Sequence, residues 1–89
     1  MDYIIVENNG KPLHFPDGDV IIYGDKQEAI NDCTRGDKLA QLDYQFNGAL
    51  EIVIVSNENG IIGQFNCFKG NEANFQDQLW DFVDCNSMR

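Results

Sequence analysis

Three Asn-Gly pairs constrain this chain more than any other feature: Asn9-Gly10, Asn47-Gly48 and Asn59-Gly60. Asn and Gly both tolerate positive φ, which the tight turn of a two-stranded hairpin demands. Each pair lies between runs rich in apolar and β-branched residues. YIIVE (3–7) is therefore expected to pair with KPLHF (11–15), and LAQLDYQF (39–46) with ALEIVIVS (49–56). That last strand should pair in turn with IIGQFNCF (61–68), making a meander. VIIY (20–23) is short and β-branched and reads as one more strand.

Two helices follow from capping and period. Asp25 and Glu28 have capping-box spacing, so a first helix is expected over 26–35, ending at Gly36 as its C′ residue. Ala29, Ile30 and Cys33 would form its narrow apolar face. A second helix, 74–85, starts after Asn71 or Asn74. Phe75, Leu79, Phe82 and Val83 make its apolar stripe at i, i+4, i+7 and i+8. The fold class is thus α+β: an antiparallel β-sheet of five or six strands with two helices, in the order β-β-β-α-β-β-β-α. Residues 1–89 are read as one domain. The expected core is Ile5, Ile22, Ile30, Leu42, Ile52, Ile54, Phe65, Phe75, Leu79 and Phe82.

Charge narrows the function classes. Fifteen acids against six bases give a net charge of −9. Direct nucleic-acid binding is not expected, because its affinity comes from Lys and Arg neutralising phosphates. Anionic membrane surfaces are disfavoured in the same way, and no apolar run reaches spanning length. The start, MDYIIVENNG, has no basic n-region and does not read as a signal peptide. Cys33, Cys67 and Cys85, an odd number without C-x-x-C spacing, read as reduced thiols in a cytoplasmic protein.

The stretch DGDVIIYGDKQE (17–28) places Asp17, Asp19, Asp25 and Glu28 at positions 1, 3, 9 and 12 of a calcium-loop window. Position 6 of such a loop needs Gly and here is Ile22; position 5, usually an oxygen donor, is Ile21. The window therefore divides into a turn at Pro16–Asp19, a strand, and a helix cap. No metal or cofactor is expected. Nor is catalysis: His14 is the only histidine, no G-x-S-x-G surrounds Thr34, Ser56 or Ser87, and no phosphate-cradling Gly loop is present. A small enzyme would have to build its pocket from His14 and a thiol. Arg35-Gly36-Asp37 matches an adhesion tripeptide, but Gly36 is accounted for as a helix end.

One constellation stands out on the second helix. Asp77, Asp81 and Asp84 fall at i, i+4 and i+7, opposite the apolar stripe, with Trp80 beside them. Like charges at that spacing repel, and acids near a helix C-terminus oppose its dipole. An aromatic next to carboxylates suits a protein-binding hot spot. The same pattern also describes the solvated face of any acidic amphipathic helix.

In size and charge the chain resembles the small, acidic, single-domain inhibitors encoded by phages and mobile elements, anti-restriction and anti-CRISPR factors among them. The resemblance covers length and charge, not residues. It implies a non-enzymatic binding protein that masks a basic, nucleic-acid-binding surface on a protein partner, its carboxylates standing in for phosphates. The partner-binding residues would be Asp77, Trp80, Asp81 and Asp84. The alternative is a structural, self-associating α+β module, a homodimer that covers its own strand edges.

Overall fold

The computed structural model describes residues 1–86. Its elements are β1 (Asp2–Val6), α1 (Lys26–Asp32), β2 (Lys38–Asn47), β3 (Leu50–Asn57), β4 (Gly60–Phe68) and α2 (Glu72–Asn86). The four strands form one antiparallel sheet in the order β1-β2-β3-β4. The fold is α+β, with four strands and two helices. The second and third hairpins form as expected, but their two-residue turns are Gly48-Ala49 and Glu58-Asn59, with Gly48 at φ 62° and Gly60, the first residue of β4, at φ 117°. A bulge interrupts the β3–β4 ladder at Val55/Ser56, leaving Ile62 as the extra residue on β4.

The sequence expectation of five or six strands is corrected to four. KPLHF and VIIY touch the sheet only through isolated bridges, Val6 with Pro12 and Tyr3 with Tyr23, and a third bridge, His14 with Val20, joins them to each other. The first Asn-Gly turn does form, since Glu7 N–H donates to Lys11 O and Gly10 N–H to Glu7 O, both at 2.8 Å. The ladder cannot continue because Pro12 and Pro16 have no N–H to contribute. The segment instead divides its bonds. Leu13 N–H donates to Ile5 O, and Leu13 O accepts from Ile21 N–H. The outer edge of β1 is covered as a result.

Side chains alternate between the two faces of the sheet. On one face Ile4, Val6, Ala40, Leu42, Val53, Val55 and Cys67 pack against Phe75, Leu79, Phe82 and Val83 of α2. Burying each of the larger of these side chains stabilises the fold by about 1.5–3 kcal/mol. Phe65 lies between Phe75 and Phe82, its ring 6.1 and 5.7 Å from theirs. The other face carries a smaller cluster in which Ile5, Tyr23 and Ala29 are buried among Tyr3, Leu13, Ile21, Cys33 and Leu39. Only α1 covers that face, and it reaches no farther than the β1 end.

Ile52, Ile54 and Ile30 are corrected as core residues. Ile52 and Ile54 are half-buried on the α1 face, beyond the reach of α1, and Val53 and Val55 are fully buried instead. Both sets are β-branched, so alternation alone could not say which one points inward. Ile30 is 45% exposed because α1 is only seven residues long and buries a single residue, Ala29. The helix ends at Asp32, not 35; Cys33 is extended, at φ −68° and ψ 136°. Gly36 is not a helix terminus. It sits at φ 92° inside a turn where Thr34 N–H and Oγ1 donate to Asp37 Oδ2 at 2.9 and 3.0 Å. A Cβ there would also lie 3.0 Å from the Asn8 side chain.

Helix α2 begins where Asn71 Oδ1 accepts from Asn74 N–H at 3.0 Å, an N-cap bond. It buries the expected stripe and also Gln76. The Gln76 amide reaches the irregular segment: Val20 N–H donates to Oε1 at 2.7 Å, and Nε2 donates to Val20 O at 3.3 Å. Replacing Gln76 by Leu leaves both backbone groups of a buried residue without partners. Gln76→Leu is expected to lower stability by about 2–6 kcal/mol. A urea denaturation midpoint unchanged from wild type would remove this assignment.

Candidate functional site

The core stripe of α2 fixes the orientation of everything else on the helix. With Leu79 pointing at the sheet, 100° per residue turns Asp77, Asp81 and Asp84 outward, and all three are exposed. Neighbouring carboxylates along the stripe are about 4.5 to 6 Å apart along the axis. Helix α2 has no basic residue in its last turn to offset them. Trp80 is only half-exposed. Its indole N–H donates to Gly18 O at 2.8 Å, and its ring lies 5.1 Å from that of His14 at a 58° tilt. So Trp80 borders the acidic stripe while one side of it anchors the 14–20 loop to the helix. The structure brings the three carboxylates together on one face and places the tryptophan at that face's edge.

A second acidic feature lies at the other end of α2. A cleft of about 390 Å³ has Asp2, Glu51 and Glu72 on its walls, with Tyr44 and Phe75 among its lining residues. Tyr44 O–H donates to Asp2 Oδ2 at 2.6 Å. Burial pushes the Tyr44 hydroxyl well above the ordinary tyrosine range, and Asp2, Glu51 and Glu72 push it further. The buried Cys67 thiol is likewise raised, by burial first and then by Glu51 and Glu72. The fields of these carboxylates therefore overlap inside the cleft. Sequence reasoning missed this group, because the three acids are far apart in the chain and only strand pairing together with the packing of α2 assembles them. One signal was present: Glu51 shares its strand face with the core residues Val53 and Val55.

The remaining candidates resolve into local structure. Asp17 Oδ1 accepts from Asp19 N–H at 2.9 Å, in a turn with Gly18 at φ 99°. Asp25 takes Gln27 N–H at a long 3.4 Å as the α1 cap. Among the described residues, no group of three or more His, Cys, Asp and Glu side chains is placed to hold a metal ion. His14 points Nδ1 at Pro12 O, 2.8 Å away, and meets the Trp80 ring at a tilt. A second cleft, of about 420 Å³, mixes Lys26 and Lys38 with Asp37 and Glu58 and so has no dominant sign. Neither cleft is lined by His14 or by a cysteine. Ser87 lies outside the described residues. No described helix is long and apolar enough to cross a membrane.

Comparison with family models, with curated proteins and with solved structures finds no match to this chain.

Two tyrosines link stability to pH. Tyr23 O–H donates to Asp32 Oδ2 at 2.7 Å, and burial, then that bond, push its hydroxyl from 10.0 up to about 12. Folding therefore favours the protonated form. The resulting stability is complete below pH 10 and is lost as pH rises toward 12. Tyr44 contributes in the same direction above pH 10. Between pH 10 and 12 the wild type should lose more stability than Tyr23→Phe, read as the fall in urea midpoint. Equal falls in the two proteins would contradict the assignment. Thiol reactivity should also rank by burial, with exposed Cys85 alkylated by iodoacetamide first and Cys67 only on unfolding.

Proposed function

We propose that this chain is a non-enzymatic binding protein. Its acidic surface masks a basic, nucleic-acid-binding surface on a protein partner, in the manner of a phage- or mobile-element-type inhibitor. The observation that carries the reading is the outer face of α2, where Asp77, Asp81 and Asp84 are all exposed in one stripe. The fold gives them no place in its core, and their mutual repulsion works against the helix. At a net charge of −9 the whole molecule would be steered toward a basic surface, and the stripe would meet Lys and Arg at near-phosphate density. The exposed side of Trp80 would add apolar contact at the margin of the patch. The cleft between Asp2, Glu51 and Glu72 has room for one guanidinium over the Tyr44 and Phe75 rings.

The test is affinity capture from a bacterial lysate, with the tagged wild type run beside Asp77→Lys/Asp81→Lys/Asp84→Lys. Bound proteins are released by stepwise salt and identified by mass spectrometry. A nucleic-acid-processing protein should leave the wild type as salt screens the contact. The triple variant should hold it at least about tenfold more weakly. Undiminished capture by the variant, with the same salt profile, removes the stripe as the site. The second reading, a self-associating module, is favoured by a separate observation on β4.

A further inference from the structure

We propose that β4 is a homodimerisation edge, pairing antiparallel with β4 of a second copy about a twofold axis at Phe65. The inference is independent of the acidic stripe. The sheet has two edges, and they are treated differently. The β1 edge is occupied by the 12–23 segment through Val6–Pro12 and Tyr3–Tyr23. β4 is the other outer strand, and it has no further strand beside it among the described residues. Exposed edges are usually blunted by charge, by proline or by a bulge. Strand Gly60–Phe68 contains no charged residue and no proline. Its bulge at Ile62 leaves Gly63–Phe68 in regular pairing with β3.

The hydrogen-bond pattern shows which groups are available. Lys69 N–H donates inward to Ala49 O at 2.9 Å. Antiparallel alternation then turns the N–H and C=O of Phe68, Asn66 and Gln64 outward. Phe68 is already satisfied: its N–H donates to Asn74 Oδ1 at 2.7 Å, and its O accepts from Asn71 N–H at 3.1 Å. Gln64 and Asn66 remain. With the twofold at Phe65, Gln64 exchanges both backbone bonds with Asn66 of the second copy, and the reverse. The paired amide side chains then lie on the same open face, within reach of each other. Phe65, half-buried under α2, meets its own copy in the closer, non-hydrogen-bonded pair.

Charge selects a second copy as the occupant. Asn59–Phe68 is the longest uncharged run in a chain of net charge −9. The flank of α2 above β4 continues it. Phe82 lies over Gly63, its ring 3.2 Å from where a Cβ would be, and on that same flank the helix presents Gln78 and Cys85. Asp77, Asp81 and Asp84 face away. Two copies can therefore meet along this edge without setting acid against acid.

Sedimentation equilibrium from about 1 to 300 µM, with thiols kept reduced, tests the proposal on the intact chain. The wild type should pass from monomer to dimer across that range. Asn66→Pro removes only an outward N–H and suits an edge strand, so it should weaken the dimer at least about tenfold. Gln64→Lys/Asn66→Lys leaves the backbone intact and sets like charges across the axis. It should do the same with an unchanged melt, although it lowers the net negative charge that would otherwise resist association. The triple Lys substitution on the α2 stripe should leave dimerisation in place. A wild type that stays monomeric at about 300 µM overturns the proposal and leaves the edge for a foreign strand. A dimer undisturbed by the Lys pair overturns it as well, and that variant decides if the proline variant does not fold.

Discussion

The fold depends on a side-chain amide standing in for a strand. Pro12 and Pro16 stop the segment between β1 and α1 from laddering, yet Val20 is buried at 2% exposure. A buried backbone N–H and C=O without partners would cost about 1–3 kcal/mol each. Gln76 supplies both partners from α2, and one turn further on Trp80 takes the Gly18 carbonyl. Helix and segment are thereby fixed to each other. The segment covers the edge of β1, and α2 lies over the main core. Removing this clasp would expose the β1 edge and loosen the helix together.

The clasp also determines what α2 has left to offer. One side of the helix is committed to the core through Phe75, Leu79, Phe82 and Val83. A second side is committed to the segment through Gln76 and Trp80. The outer side, with its three aspartates, is committed to neither. The sheet has a parallel division. Its α2 face carries the main core, whereas α1 covers its opposite face only near β1, leaving Ile52 and Ile54 half-buried beside the open β4 edge. Structural demand is therefore concentrated on one end and one face. The uncommitted surface includes an acidic helix face and an uncharged strand edge.

How far this was legible in the sequence depended on how local the signal was. The Asn-Gly pairs mark where both hairpins turn, although the turns themselves are Gly48-Ala49 and Glu58-Asn59, and the β2–β3–β4 meander follows. The 3.6-residue period of Phe75, Leu79 and Phe82 gives α2 and, by subtraction, the outward aspartates. Readings failed where two answers were locally equal. Ile52/Ile54 and Val53/Val55 fit the core equally well by pattern, and only the position of α2 separates them. KPLHF has the composition of a strand, but Pro12 decides against one. Gly36 looks like a helix end and is a turn held by Thr34 and Asp37. At the candidate site, the Asp2–Glu51–Glu72 cleft and the double role of Trp80 rest on contacts between distant segments, which no local pattern encodes.

The central claim is that the acidic stripe has no structural task and persists against the helix's own preference. The direct test is the stability of Asp77→Asn/Asp81→Asn/Asp84→Asn, measured by urea denaturation at neutral pH and low salt. Neutralising the stripe relieves repulsion at i, i+4 and i, i+3, and relieves an unfavourable charge at the helix C-terminus. The account predicts a gain of about 0.3–1 kcal/mol, fading as salt is added. A loss of stability would contradict it, because the carboxylates would then be holding the fold together and their exposure would need no partner to explain it.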